Sequence, residues 1–265
     1  MNLTDTHQQE LRSAMLLLEN PGIAAKITNL IGIPIEKGFE LLPENWNKKI
    51  GEVTKKALMK AADAAIFTMK KTPGEESSDR WHKFGVAITG GISGFLGLPA
   101  LAIELPVSTT IILRSIAEIA RAEGESVNDY RTKLACLEVF AMGGKNKSDD
   151  SYESGYFIVR TALAKSVSEA AEFVATKSFT EEGAPALVRF IVNIAQRFSI
   201  QVTEKAAAQA IPIIGAAGGA IINTLFIDHF QDMAKGHFTV RRLENIYSKE
   251  IIKEAYEELI KLETK

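Results

Sequence analysis

Apolar residues recur at helical spacing in nearly every segment of this chain, and sustained alternation over strand lengths is hard to find. A sequence with that pattern buries its apolar faces by packing helix on helix. The prolines stand at 21, 34, 43, 73, 99, 106, 185 and 212, mostly between or near the starts of periodic stretches, where a missing N–H costs least. They punctuate expected helices over 6–19, 22–31, 34–42, 45–71, 79–97, 100–123, 128–142, 149–178, 184–209, 211–234 and 249–263. The clearest loops are the polar, glycine-bearing stretches 72–78 and 143–150, and neither is long enough for an interdomain linker. The expected architecture is all-α: one helical domain over 1–265, a multi-helix bundle with two central glycine-rich apolar helices and an amphipathic helix at 249–263.

Two stretches carry no charge: 84–103, FGVAITGGISGFLGLPALAI, and 206–227, AAAQAIPIIGAAGGAIINTLFI. Both have the length of a membrane span. Each holds a GxxxG spacing, Gly90 to Gly94 and Gly215 to Gly219, which sets two glycines on one helical face and lets a neighbouring backbone approach closely. The segments read either as a membrane-inserting element or as central helices enclosed by the rest of the bundle. Mean hydropathy of +0.02 favours the second.

Residues 45–71 place Lys48, Lys49, Lys55, Lys56, Lys60, Lys70 and Lys71 on one side of a helix, with Trp46, Ile50, Val53, Ala57, Leu58, Ala61, Ala65 and Met69 opposite. Such a helix can lie on an anionic bilayer, its lysines each adding ~1 kcal/mol near the surface while the apolar face inserts. The alternative is an outer helix whose apolar face packs on the core. Elsewhere charge is balanced, with 31 basic and 33 acidic residues, so no global field exists for holding nucleic acid. One cysteine, Cys136, excludes an internal disulfide and any multi-cysteine metal site. The N-terminus lacks the charged and apolar regions of a secretory signal, and the expected location is cytoplasmic, including the inner face of the cytoplasmic membrane.

Catalytic signatures are largely missing: no GxxxxGK[ST], GxGxxG or HExxH occurs, and GISG at 91–94 lacks the spacing of a nucleophile elbow. No cofactor is expected. Cys136, amid helical apolar residues, reads as a small hydrophobe. The densest ionisable cluster is 228–238, where Asp228, His229, Asp232 and His237 are the candidate metal ligands. Against that use, Asp228 and His229 point about 100° apart on a helix, and Gly236 looks like a helix C-cap with His237 beyond it. Glu104 ends the first uncharged run and is costly to bury unpaired; Arg80, His82, Arg114, Arg241 and Arg242 are its candidate partners.

Three segments, ELPVSTTIILRSIAEIARAEG (104–124), LEVFAMGG (137–144) and IPIIGAAGGAIINTLFIDHFQDMAKGHFTVRRLE (211–244), together with WHKFG (81–85) and GISGFLGLPALAIELP (91–106), resemble the bacterial EcsC protein family over about residues 20–247. The resemblance implies a bacterial, membrane-linked role, the family being named for a protein encoded beside an ABC transporter, and it carries over no catalytic residues. The matching positions are Trp81, His82, Glu104, Arg114, Asn223, His229, Phe230, His237, Phe238, Arg242 and Glu244. The leading expectation is a non-enzymatic, membrane-associated helical protein that meets anionic lipid or a membrane protein through its glycine-rich apolar helices and the basic helix. A soluble helical enzyme, a hydrolase or metal-dependent, using Glu104 with His82, His229 or His237, is the alternative. A soluble module that presents apolar helices to another protein is the third.

Overall fold

The computed structural model describes residues 3–19, 22–68, 97–143, 155–176, 185–211 and 215–263. Every regular element among them is helical: α1 Asp5–Leu18, α2 Ile23–Ile31, α3 Glu36–Glu40, α4 Trp46–Thr68, α5 Gly97–Ala122, α6 Tyr130–Glu138 continued by a 3₁₀ turn Val139–Ala141, α7 Gly155–Thr176, α8 Pro185–Ala210, α9 Gly215–Tyr247 and α10 Lys249–Glu263. The all-α expectation holds. The expected helix 79–97 and the loop 72–78 lie outside the described residues, as does all but the first residue of the loop 143–150.

Local chemistry sets the ends. Thr4 caps α1 through its hydroxyl, which accepts from the His7 N–H, and Asp129 caps α6 by accepting from Arg131 N–H. Gly32, at φ +69°, closes α2 in the left-handed conformation that a β-carbon disfavours. Inside α5, Pro106 has no N–H to give; Thr110 Oγ1 donates to the Pro106 carbonyl at 2.8 Å and Ser108 Oγ to that of Leu105 at 3.2 Å.

Four helices form the centre. α4 packs on α5 and on α8, and α9 packs on the same two, so α5 and α8 face one another across a diagonal without being direct neighbours. α8 turns Phe190, Ile194, Phe198, Gln201, Val202 and Lys205 inward at spacings of three and four. Phe140 of the 3₁₀ turn, Phe198 of α8 and Phe226 and Phe230 of α9, all fully buried, meet ring against ring at centroid distances of 4.9–6.0 Å. Around this centre, α1 and α10 pack on α9, α2 on α8 and α9, α3 on α8, and α7 on α8 and α6. Buried apolar side chains from α1 to α10 belong to one contiguous cluster.

The expected end of the penultimate helix at 234 is wrong, and the reason is Gly236. The residue does not cap anything; it lies in the interior of α9, which runs on to Tyr247. A β-carbon there would stand 2.6 Å from Leu18 Cγ and 3.0 Å from the Ala14 carbonyl oxygen, so the glycine is what lets α9 cross α1 closely. Gly38 of α3 plays the same part against α8, where a β-carbon would overlap the backbone carbonyl of Ala207. In both places packing outweighs the roughly 1 kcal/mol helix-propensity cost of glycine.

Gly38→Ala and Gly236→Ala are therefore expected to destabilise the fold in spite of alanine's propensity, by about 1–3 kcal/mol each. Gly38→Ala should cost the more, because its obstacle is backbone. Urea denaturation of the two variants checks both the sign and the order.

Candidate functional site

α4 is amphipathic as its sequence reads. Trp46, Ile50, Ala57, Leu58 and Ala61 are buried against α5 and α8, and Lys48, Lys49, Lys55, Lys56 and Lys60 are all exposed. The described part of the apolar face is consequently core, the second of the two readings that the sequence allows for this helix. Only the lysine face is free to meet a surface. Exposed Glu52 and Asp63 fall within the same arc of the helix, so five positive charges are offset by two negative ones. Lys70 and Lys71 lie outside the described residues.

The uncharged run 206–227 is not one helix. Its first residues finish α8, Ile211 is non-helical and Gly215 opens α9. Of the run 84–103, only 97–103 are described, as the first turns of α5; Gly90 and Gly94 lie outside. A β-carbon on Gly219 would meet nothing within 4 Å among the described residues, and no helix among them is long and apolar enough to cross a membrane.

The charges bounding these two runs pair with each other. Lys205 Nζ, fully buried at the end of α8, donates to Glu104 Oε1 at 2.6 Å across the diagonal of the core, and its ammonium lies 4.6 Å from the centroid of the Phe226 ring. Lys205 is not among the expected partners of Glu104. Of those expected, Arg241 donates to Glu125 at 2.8 Å and Arg242 donates to Glu123 at 2.8 Å and to Glu10 at 3.1 Å, while Arg80 and His82 lie outside the described residues. Lys205 was legible in one way: it abuts the start of the second run as Glu104 abuts the end of the first.

The ionisable cluster at 228–238 does not converge. Asp228 is exposed, Asp232 pairs with Lys26 at 3.5 Å and Lys235 at 3.8 Å, and His229 and His237 are fully buried two turns apart on α9. Among the described residues no three His, Cys, Asp or Glu side chains come together in a metal-holding group. His229 lies beneath Gly143, at φ +76°, where a β-carbon would stand 2.5 Å from its Nε2. The nearby Met142 carbonyl accepts from Gln201 Nε2 and faces the His229 ring as well, but neither ring nitrogen reaches hydrogen-bond geometry with a partner among the described residues. Burial, reinforced by the charge of Lys26, holds the imidazole neutral down to about 3. The Cys136 thiol, pushed up to about 12 by burial, is a packing group.

His237 belongs to a buried clasp that joins α7 to α9. Arg160 of α7 grips Glu244 with both guanidinium ends, at 2.6 and 3.0 Å, and also donates to Tyr156 Oη at 3.3 Å. The same oxygen meets His237 Nδ1 at 2.9 Å, the donor being set by the imidazole tautomer, and His237 Nε2 has no hydrogen-bond partner among the described residues. Burial, with Arg160 and Arg241 beside it, holds the His237 imidazole well below its ordinary range. Glu138 of α6 shares this neighbourhood, its carboxyl pushed up to about 7 by burial. Glu244 and His237 are among the positions of the family resemblance. Glu138, Tyr156 and Arg160 went unread, although Glu138 is the lone acid in an unbroken buried stretch, 134–142.

A family model described as the EcsC protein family matches residues 7–243, beginning within α1 rather than near residue 20. Comparison with curated proteins and with solved structures gives no match.

Two predictions follow the geometry. Lys205→Met alone strands a buried carboxylate and is expected to cost about 3–5 kcal/mol, whereas Lys205→Met with Glu104→Leu should recover most of that loss; equilibrium denaturation of the pair distinguishes them. For the histidines, the folded state holds a neutral ring where the unfolded chain takes a proton below its ordinary 6.5. The histidines' contribution to stability is thus full above pH 6.5 and is lost as pH drops below it. His229→Leu should flatten that fall between pH 6.5 and 5 by about 1.4 kcal/mol per pH unit, read from denaturation midpoints.

Proposed function

The chain belongs to the EcsC protein family, and from that premise we propose that it is a non-enzymatic protein that attaches peripherally to an anionic membrane surface through the lysine face of α4. The observation that carries the reading is the division of labour on that helix: five lysines stand exposed along one side while Trp46, Ile50, Ala57, Leu58 and Ala61 on the opposite side are buried where the helix packs on α5 and α8. A helix held in this way has no apolar face to insert, so the attraction is electrostatic. Each lysine near an anionic leaflet contributes ~1 kcal/mol, and the attraction decays within a Debye length of about 10 Å at 0.1 M salt. With Glu52 and Asp63 on the same face, the interaction is modest and reversible. The cytoplasmic face of the membrane, where anionic lipids concentrate, is the location that suits it.

A membrane protein with an acidic surface would be held by the same lysines, and vesicles distinguish the two. The enzyme alternative has less to work with: Glu104 is neutralised by Lys205, and His229 and His237 are sealed inside the bundle.

Co-sedimentation of the purified protein with vesicles containing phosphatidylserine, against vesicles of phosphatidylcholine alone, tests the reading. Binding to the anionic vesicles alone is expected, with loss of most of it on raising salt from 0.05 to about 0.5 M. Charge reversal at Lys48, Lys49, Lys55, Lys56 and Lys60 should weaken binding at low salt by at least about tenfold. Equal retention by both vesicle types, or by the charge-reversed protein, overturns it.

A further inference from the structure

The clasp around Arg160 contains one more carboxyl than its arginines can serve. Glu125, Glu138 and Glu244 face Arg160 and Arg241, and both arginines are committed: Arg160 to Glu244 through two hydrogen bonds, Arg241 to Glu125 at 2.8 Å. Glu138, 7% exposed, forms no ion pair or hydrogen bond among the described residues. The groups around it are Arg160 and Tyr156 from α7, His237, Arg241 and Glu244 from α9, and Lys249 at the start of α10, with Glu125 from the turn after α5 set on Arg241. The histidine is neutral, the tyrosine keeps its proton and Lys249 stands exposed to solvent without an ion pair to Glu138, so no cation is paired with the third carboxylate among the described residues. A buried, unpaired carboxylate costs several kcal/mol, whereas the neutral acid costs far less.

We propose that Glu138 is carried as a protonated, neutral carboxyl in the folded protein, and that losing this proton loosens the clasp that joins α6, α7 and α9. Once ionised, Glu138 repels Glu244 and competes with it for Arg160. The first turns of α7, which hold Tyr156 and Arg160, are then the least secured part of the junction. Burial raising this carboxyl from 4.5 to about 7 puts the change at neutral pH. The sign is fixed by linkage. A carboxyl raised on folding contributes stability that is whole below 4.5 and is lost as pH rises to about 7.

Glu138→Gln reproduces the neutral form and provides the test. The unfolding constant of the natural protein divided by that of Glu138→Gln is expected to rise by about tenfold per pH unit between 4.5 and 7 and to level off above. Hydrogen exchange in the first turns of α7 should accelerate between pH 6 and 8 in the natural protein and not in the variant, after correction for intrinsic exchange. A ratio that stays level across the range means an ionised, paired Glu138 and overturns the proposal. If Glu138→Gln fails to fold, infrared spectra of Glu204→Gln decide, that substitution removing another carboxyl raised by burial. A carboxylic-acid carbonyl band present at pH 6 and gone by pH 8.5 supports a neutral Glu138; absence of the band at pH 6 overturns it.

Discussion

Glu104 and Lys205 are buried charges that pair with each other at 2.6 Å, and the helices carrying them touch little otherwise. That constraint orders the centre of the bundle. The segments leading into the pair are rich in Ala, Gly and Ile, residues that slide past one another at little cost, so apolar packing alone leaves the register of α5 against α8 weakly determined. Slipping either helix by a turn separates the two charges by about 5 Å and strands both. The ammonium on the Phe226 ring extends the same fix to α9, whose aromatic face then keys into Phe198 and Phe140.

The helices were legible wherever one face is apolar and the other polar. α1, α4, α8 and α10 follow their expected ranges within a few residues, because a period of 3.6 in the sequence is the direct imprint of one-sided burial. Gly236 shows where that logic stops. Local chemistry cannot tell a glycine that ends a helix from one that admits another helix at close range; the difference lies in Ala14 and Leu18, more than two hundred residues away in the chain. The site divides the same way. The exposure of the five lysines was readable from their spacing alone. The partner of Glu104 was not, because charge pairing across a core depends on topology, and the arginines nearest in composition are taken by Glu10, Glu123 and Glu125.

Surface and interior carry separate chemistry in this molecule. The lysines of α4 project away from a face that is finished with packing, so their charges can be altered with little effect on the core. The clasp of Tyr156, Arg160, His237 and Glu244 is the reverse case: its groups are mutually satisfied save for one imidazole nitrogen, and each substitution there disturbs its neighbours as well.

The seating of α1 has a consequence for how the chain is made. Its first turn is held by Tyr247, which meets Thr4 N–H and His7, and Arg12 pairs with Glu263. Glu19, just past its end, accepts from Tyr256. α1 thus has its permanent partners more than two hundred residues further along the chain, and at about 5–20 residues per second it waits on the order of 10–50 s for them. Throughout that interval Leu11, Met15 and Leu18 have no core to enter. The nascent chain presents an apolar stripe on α1 until α9 and α10 have been made, a natural point of engagement for the chaperones that meet new polypeptides.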